Sequence, residues 1–161
     1  MGKMDRQENT DAAKRLIDIY QMLPSTDAEL YIVGANPPEA LQSLGNEKIH
    51  ITGFVEDPGE YMKRAKIAAF PLKAGAGVKI KVLNAMNLGI PVVTTMVGAE
   101  GIDEDGEAIL LAETEAEFVE KIEMLLNDDE LCKEIASKEI KLIKDRFSWE
   151  KTQKVFEELY G

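Results

Sequence analysis

The stretch Ile67-Ala68-Ala69-Phe70-Pro71-Leu72-Lys73-Ala74-Gly75-Ala76-Gly77-Val78-Lys79-Ile80-Lys81-Val82-Leu83-Asn84-Ala85-Met86 decides the fold. Residues 67–70 are a short apolar run ending at a proline, the form of a strand buried on both faces. Residues 73–77 are small and glycine-containing, and residues 78–88 read as a helix stopped by Gly89. Pro91-Val92-Val93-Thr94-Thr95 follows as a β-branched strand. Strand, loop, helix and strand in that order make a crossover between parallel neighbours.

The same alternation extends in both directions. Upstream, residues 9–23 predict a helix capped by Asn9 or Thr10, with Ala13, Leu16, Ile17 and Tyr20 at helical spacing. Leu30-Tyr31-Ile32-Val33 closed by Gly34 and residues 49–52 closed by Gly53 predict two strands. Pro37 and Pro38 open a short helix to residue 44, and Asp57-Pro58-Gly59-Glu60 starts another to residue 64. Downstream, Val97-Gly98-Ala99-Glu100-Gly101 reads as a loop and residues 108–111 as a fifth strand. Thr114 and Glu117 form a capping box ahead of the apolar stripe Phe118, Ile122 and Leu125. One more helix starts near residue 129, and another at Ser148 carrying Trp149, Val155, Phe156 and Leu159. The expected fold is therefore α/β, a doubly wound parallel sheet in one domain spanning residues 1–161. Ligands of such sheets bind at the carboxyl ends of the strands, here the loops after Val33, Thr52, Phe70 and Thr95.

Composition narrows the function classes. With 161 residues and 45% apolar content the chain can bury a core without staples. The net charge of −11 argues against nucleic acid and anionic membrane as partners. A single cysteine, Cys132, excludes an internal disulfide and suits a reducing compartment. No apolar run nears the roughly 18 residues of a membrane helix, and no signal-peptide pattern opens the chain, so a cytoplasmic location is expected. The charge is unevenly placed. Residues 1–99 hold 11 acids and 11 bases, whereas residues 100–161 hold 19 acids and 8 bases. Residues 61–99 contain six bases and no acid, and the glycine loop lies within them.

Gly75-Ala76-Gly77 stands between a strand and a helix N-terminus, where free N–H groups and the helix dipole favour an anion. Lys79 and Lys81 add positive charge at that same end. Cations there oppose the dipole by about 0.3–1 kcal/mol each, a conflict that a bound phosphate removes. The string is neither a nucleotide P-loop, lacking Gly-Lys-Ser/Thr, nor a dinucleotide fingerprint, since Ile80 stands where the third glycine belongs. An ordinary tight turn with two exposed lysines remains the competing reading. His50, inside a strand, and Cys132, in an acidic helix, read as structural; neither metal ligands nor a catalytic residue can be picked out.

The residues 73–86, together with Gly89-Ile90-Pro91-Val92-Val93-Thr94-Thr95 and Gly98-Ala99-Glu100-Gly101, resemble retaining glycosyltransferases of the GT-B fold. The match is to the nucleotide-sugar-binding C-terminal domain, the Rossmann-like half of that fold. Tyr31-Ile32-Val33-Gly34, Thr52-Gly53-Phe54-Val55-Glu56-Asp57 and Phe147-Ser148-Trp149 fall in the order that family shows. The resemblance implies that Gly75, Ala76, Gly77 and Val78 cradle the donor diphosphate, with Lys79 or Lys81 as counter-charge. It implies that Gly53, Phe54 and Val55 hold the base, and that Gly34 and Lys3 lie beside the donor. Asn84 stands where the family usually has a glutamate on the ribose hydroxyls, and Ala76 where it has a second glutamate.

Gly2-Lys3-Met4 resembles the end of the domain's first strand, so that strand is truncated here, and the N-terminal acceptor domain is absent. The expected partners are a nucleotide-diphosphate sugar as donor substrate, the missing acceptor half, and self-association through exposed strand edges. No cofactor is expected, and any membrane association would come through the missing half. The expected function is the donor-binding half of a sugar transferase, this chain alone being inactive. The alternatives are a degenerate non-catalytic scaffold module and a nucleotide-sugar epimerase-like domain.

Overall fold

Every strand pairing among the described residues is parallel, as the crossovers demand, but the strands form two sheets instead of one. The computed structural model describes residues 1–147. The elements run α1 (Gln7–Met22), β1 (Leu30–Ile32), α2 (Glu39–Gln42), β2 (Ile49–Ile51), α3 (Pro58–Lys63), β3 (Ala68–Phe70), α4 (Ile80–Asn87), β4 (Val92–Thr94), α5 (Met96–Ala99), β5 (Leu110–Leu111), α6 (Glu115–Asn127) and α7 (Asp129–Arg146). Strands β1 and β2 pair as one sheet, Leu30 opposite Ile49. Strands β3, β4 and β5 make the other, with Ala68 opposite Val92 and Val93 opposite Leu110. The helix expected from Ser148 lies outside the described residues.

The break falls between β1 and β3, where the truncated first strand was expected. Residues 2–4 run along the carboxyl end of β1. The Gly2 N–H donates to the Val33 carbonyl at 3.1 Å, and the Met4 N–H to the Ala35 carbonyl at 2.8 Å. Gly34 is required here by space, because a Cβ on it would come within 2.0 Å of the Gly2 carbonyl oxygen.

Three apolar clusters hold these pieces together. Ile32, Ile49 and Leu41 pack with Ala13 and Ile17 of α1 around the two-stranded sheet. Val93, Phe118 and Leu125 pack with Ile19 of α1 on one face of the three-stranded sheet. Val92, Val82, Met86 and Leu142 fill its other face from α4 and α7. Each fully buried Val, Leu or Phe among them contributes about 1.5–3 kcal/mol. Helix α1 is thus the element that both sheets share.

Local signals explain most boundaries. The Thr114–Glu117 capping box is formed in both directions, and Asp57 accepts from the Gly59 N–H at the start of α3. Gly89 takes a φ of +70° directly after α4. Several elements are shorter than expected, β5 spanning Leu110–Leu111 instead of 108–111 and α2 ending at Gln42 instead of residue 44, and two helix starts and one loop differ for local reasons. Helix α1 begins at Gln7 behind Arg6, without a side-chain cap, because Asn9 is engaged elsewhere. Helix α4 begins at Ile80, two residues late, since Gly77 at +78° ends the loop in a left-handed conformation. Residues 96–99 are helical because Thr95 accepts from the Gly98 N–H and nucleates a turn within the expected loop.

Candidate functional site

With all strands parallel, their carboxyl ends fall along one edge, and each contributes a loop there. After β1 stand Val33 and Gly34, with residues 2–4 bonded alongside. After β2 come Thr52, Gly53 and Phe54, the latter 77% exposed. The loop after β3 carries Gly75, Ala76 and Gly77, all exposed, and leads into α4. After β4, Thr95 anchors α5 by donating its hydroxyl to the Leu72 carbonyl at 2.6 Å.

The glycine loop is shaped by its own lysine. Gly75 and Gly77 take φ values of +119° and +78°, backbone conformations that only glycine adopts without strain. The Lys79 ammonium turns back over them, donating to the Gly75 and Gly77 carbonyls and pairing with Glu100 Oε2 at 3.4 Å. Its side chain is only 11% exposed. Lys79 is also the N-cap residue of α4 and supplies no side-chain cap. The N–H groups of the first turn are therefore left without a side-chain acceptor and face the same edge.

Lys81 follows two residues later, in the first turn of α4. Its ammonium donates to Asn9 Oδ1 at 3.0 Å and lies 5.9 Å from the centre of the Phe70 ring. Burial lowers its pKa from the ordinary lysine value, partly offset by Glu8, and the Lys79 charge lowers it further. Asn9 in turn donates to the Lys3 carbonyl at 2.8 Å. A chain of contacts thus joins α4, α1 and the 2–4 segment, bringing Lys81 and the backbone of Lys3 to one place. Two cations thus stem from the start of one helix, Lys79 turned onto the exposed glycine backbone and Lys81 turned toward Asn9 and Phe70. An anion there would satisfy the first-turn N–H groups and relieve the depressed Lys81.

Asn84 lies exposed on α4, one helical turn beyond Ile80. Val78 and Ile80 are 43% and 65% exposed, so the site carries apolar surface next to its charges. Val78 leans toward the next loop, since a Cβ on Gly101 would meet its Cγ2 at 3.0 Å. The Gly53, Phe54 and Val55 loop stands at the end of the other sheet, on the same carboxyl edge.

Reading the sequence missed Arg15 and Glu113, which hold this edge in place, and Asp103, which orders the residues leading into β5. Arg15 of α1 donates to the Pro71 carbonyl at 3.3 Å, to Glu115 at 2.7 Å and to the Glu113 carbonyl. Glu113 in turn accepts from the Met96 N–H at 2.7 Å. Asp103 takes the N–H groups of Glu107, Ala108 and Ile109. The only sequence signal for any of them is the uniformly polar context that hid them.

His50 and Cys132 have structural surroundings. The His50 ring stacks on Tyr31 at 4.5 Å and pairs with Glu29 at 2.8 Å. Burial raises the Cys132 thiol above its ordinary pKa, and its Sγ donates to the Leu125 carbonyl at 3.1 Å. Among the described residues no group of His, Cys, Asp and Glu could hold a metal ion. None of the described helices is long and apolar enough to cross a membrane.

A family model described as glycosyl transferases group 1 matches residues 1–128. Among solved structures, the C-terminal domain of a glycosyl transferase group 1 family protein, LpcC of Francisella tularensis, is similar with a TM-score of 0.74 at 20% identity, covering 92% of this chain and 84% of that one. HepE of Anabaena, solved with UDP and glucose, is similar with a TM-score of 0.81 at 22% identity, covering 98% of this chain and 47% of that one. TarM of S. aureus, solved in a complex containing UDP, gives 0.83 at 21% identity, covering 99% of this chain and 35% of that one. The chain thus spans between about a third and a half of these last two. No curated protein sequence matches it.

Proposed function

Since the chain belongs to the glycosyl transferases group 1 family, with the Rossmann-like fold of a GT-B C-terminal domain, we propose that it is the donor-binding half of a retaining sugar transferase. It takes a nucleotide-diphosphate sugar, of hexosyl type, whose sugar passes to an acceptor hydroxyl supplied by a second domain. The observation that carries this reading is the α4 N-terminus, where Gly75 and Gly77 expose backbone, Lys79 lies over them and Lys81 adds charge from the same helix start.

Transfer from such a donor requires the diphosphate to leave with its negative charge stabilised. The first-turn N–H groups of α4 would hold one phosphate and the Lys79 ammonium, released from Glu100, another. Lys81 acts from behind through the field at the helix end. Gly53, Phe54 and Val55 would receive the base, Asn84 the ribose, and Gly34 with Lys3 the near side of the sugar-phosphate. In this reading the acceptor is held by the second domain, so the chain alone binds donor and does not transfer. Positioning of the two substrates falls to the closed cleft between halves. The compartment consistent with this role is the cytoplasm, where nucleotide sugars are at hand.

Titration calorimetry with UDP and GDP tests the reading. Binding of either that is lost in Gly77→Val supports it. An absence of binding to every nucleoside diphosphate would instead support a scaffold role, the reading that Lys79 already tied to Glu100 and the loop carbonyls favours.

A further inference from the structure

The carboxylates around the segment after β4 differ in what they hold. Glu113 accepts from the Met96 N–H at 2.7 Å, Glu104 from the Gly101 N–H at 2.9 Å, and Asp103 from three N–H groups ahead of β5. Glu100 orders no backbone. Among the described residues its carboxylate receives only the Lys79 ammonium, at Oε2, and its side chain is 48% exposed. The backbone that carries it is nonetheless firmly placed. The Ala99 N–H donates to the Thr95 carbonyl at 3.0 Å, and the Ile102 N–H to the Ala99 carbonyl at 2.9 Å. Gly98 lies so close to Thr94 that a Cβ on it would fall 1.9 Å from Oγ1. Ala99 and Ile102 are both buried. A rigidly carried carboxylate that the fold does not use thus reaches the glycine loop.

A phosphate that takes the Lys79 ammonium at an ordinary ~2.8 Å has its oxygen within about 6 Å of Glu100 Oε2. Once Lys79 turns to the phosphate, the carboxylate loses its one partner. Left beside a diphosphate it is repelled, unless a neutral donor takes the ammonium's place. The group carried on the terminal phosphate is what arrives at this distance. Hydroxyls suit the vacancy, since each donates one hydrogen bond and the two carboxylate oxygens can accept from a vicinal pair. Residues 61–99 hold no acid, so neither the glycine loop nor α4 offers another carboxylate for this purpose.

We propose, resting on the donor-site reading, that Glu100 is a specificity-determining residue whose carboxylate accepts hydrogen bonds from vicinal hydroxyls of the sugar on the terminal phosphate. It favours a nucleotide sugar over the bare nucleoside diphosphate, which brings the negative charge without the hydroxyls. The pair with Lys79 is then the resting arrangement of the empty site. The nucleotide left after transfer is held less firmly than the donor was, because its departure restores that pair.

Calorimetry on the full chain in EDTA compares UDP-glucose with the β-methyl ester of UDP, which carries the same charge and no sugar hydroxyls. GDP-mannose and the methyl ester of GDP make the matching pair for the other base. For the base that binds, the parent should prefer the sugar over the methyl ester by ~10-fold or more, and Glu100→Gln should lose that preference. Thermal melts of parent and variant should coincide, since Glu100 orders no backbone, so the loss reads as recognition and not unfolding. A preference retained in Glu100→Gln, absent from the parent, or seen only when Mg²⁺ replaces EDTA would overturn the role of Glu100 and leave the donor site standing. Binding of none of these nucleotides would remove the donor-site reading and the role of Glu100 together.

Discussion

The Lys79 ammonium lies 3.4 Å from Glu100 Oε2, which ties the loop after β3 to the segment after β4. The same ammonium covers the Gly75 and Gly77 carbonyls. An incoming phosphate must therefore compete with one carboxylate for this cation. Glu100→Gln should strengthen UDP binding by about 3- to 10-fold by removing that competitor, and Lys79→Ala should weaken it by ~10-fold or more. Calorimetry on both variants decides; equal affinities for the two would place the phosphate elsewhere.

Asn84 offers a neutral side chain where a carboxylate would make charge-assisted hydrogen bonds to vicinal hydroxyls. Asn84→Glu should improve UDP affinity by about tenfold. It should leave the affinity for a 2′,3′-dideoxy analogue unchanged, so comparing the two ligands isolates the ribose contact. A parallel gain for both analogues would rule the contact out.

Glu139 is fully buried on α7, where Oε1 accepts from the Val92 N–H at 2.8 Å while Oε2 has no partner. Burial raises its pKa to about 8, the Val92 bond opposes this, and the Asp103 charge adds to it. Between the ordinary carboxyl value of 4.5 and about 8 the folded protein binds a proton that the unfolded chain has lost. The contribution of Glu139 is thus fully present below pH 4.5 and disappears as pH rises through about 8. Glu139→Gln should flatten this dependence. Urea denaturation should show it within about 1 kcal/mol of the parent at pH 5 and on the order of 1–3 kcal/mol more stable at pH 9.

Arg15 reaches the loop after β3 and the residues before α6 from its buried position on α1. Arg15→Ala strips the Pro71 and Glu113 carbonyls of their donor. It should cost about 2–4 kcal/mol in stability. Because Pro71 leads into the glycine loop, UDP affinity should fall as well, and a thermal melt paired with a titration reports both effects.

What the sequence made legible was local chemistry. Thr114 with Glu117, Asp57 with Gly59, and Gly89 behind α4 work over three or four residues, and each forms as expected. The alternation of apolar runs and helical stripes led to parallel pairing for the same reason. Asn9 shows where this stops. Its type suits a helix cap, yet its amide bonds to the Lys3 carbonyl and its oxygen receives Lys81. Those partners belong to other elements, and only packing brings them near. Arg15, Asp103 and Glu139 are hidden likewise, since a charged residue in a polar stretch reads as solvated until the fold closes over it. At the candidate site, Gly75 and Gly77 announced themselves, whereas the Glu100 counter-charge to Lys79 depended on two loops meeting.

Gly34 and the Gly2 carbonyl cross at a distance that leaves no room for a methyl group. At that crossing the backbone itself is the packing surface, and no choice of side chain nearby can compensate. A saturation scan would find Gly34 among the least replaceable positions, although it carries no functional group. Its intolerance would be cured not by second-site changes in its own loop but by rerouting residues 1–4. Evolution of this carboxyl edge is therefore fettered at a point where there is no side chain to evolve.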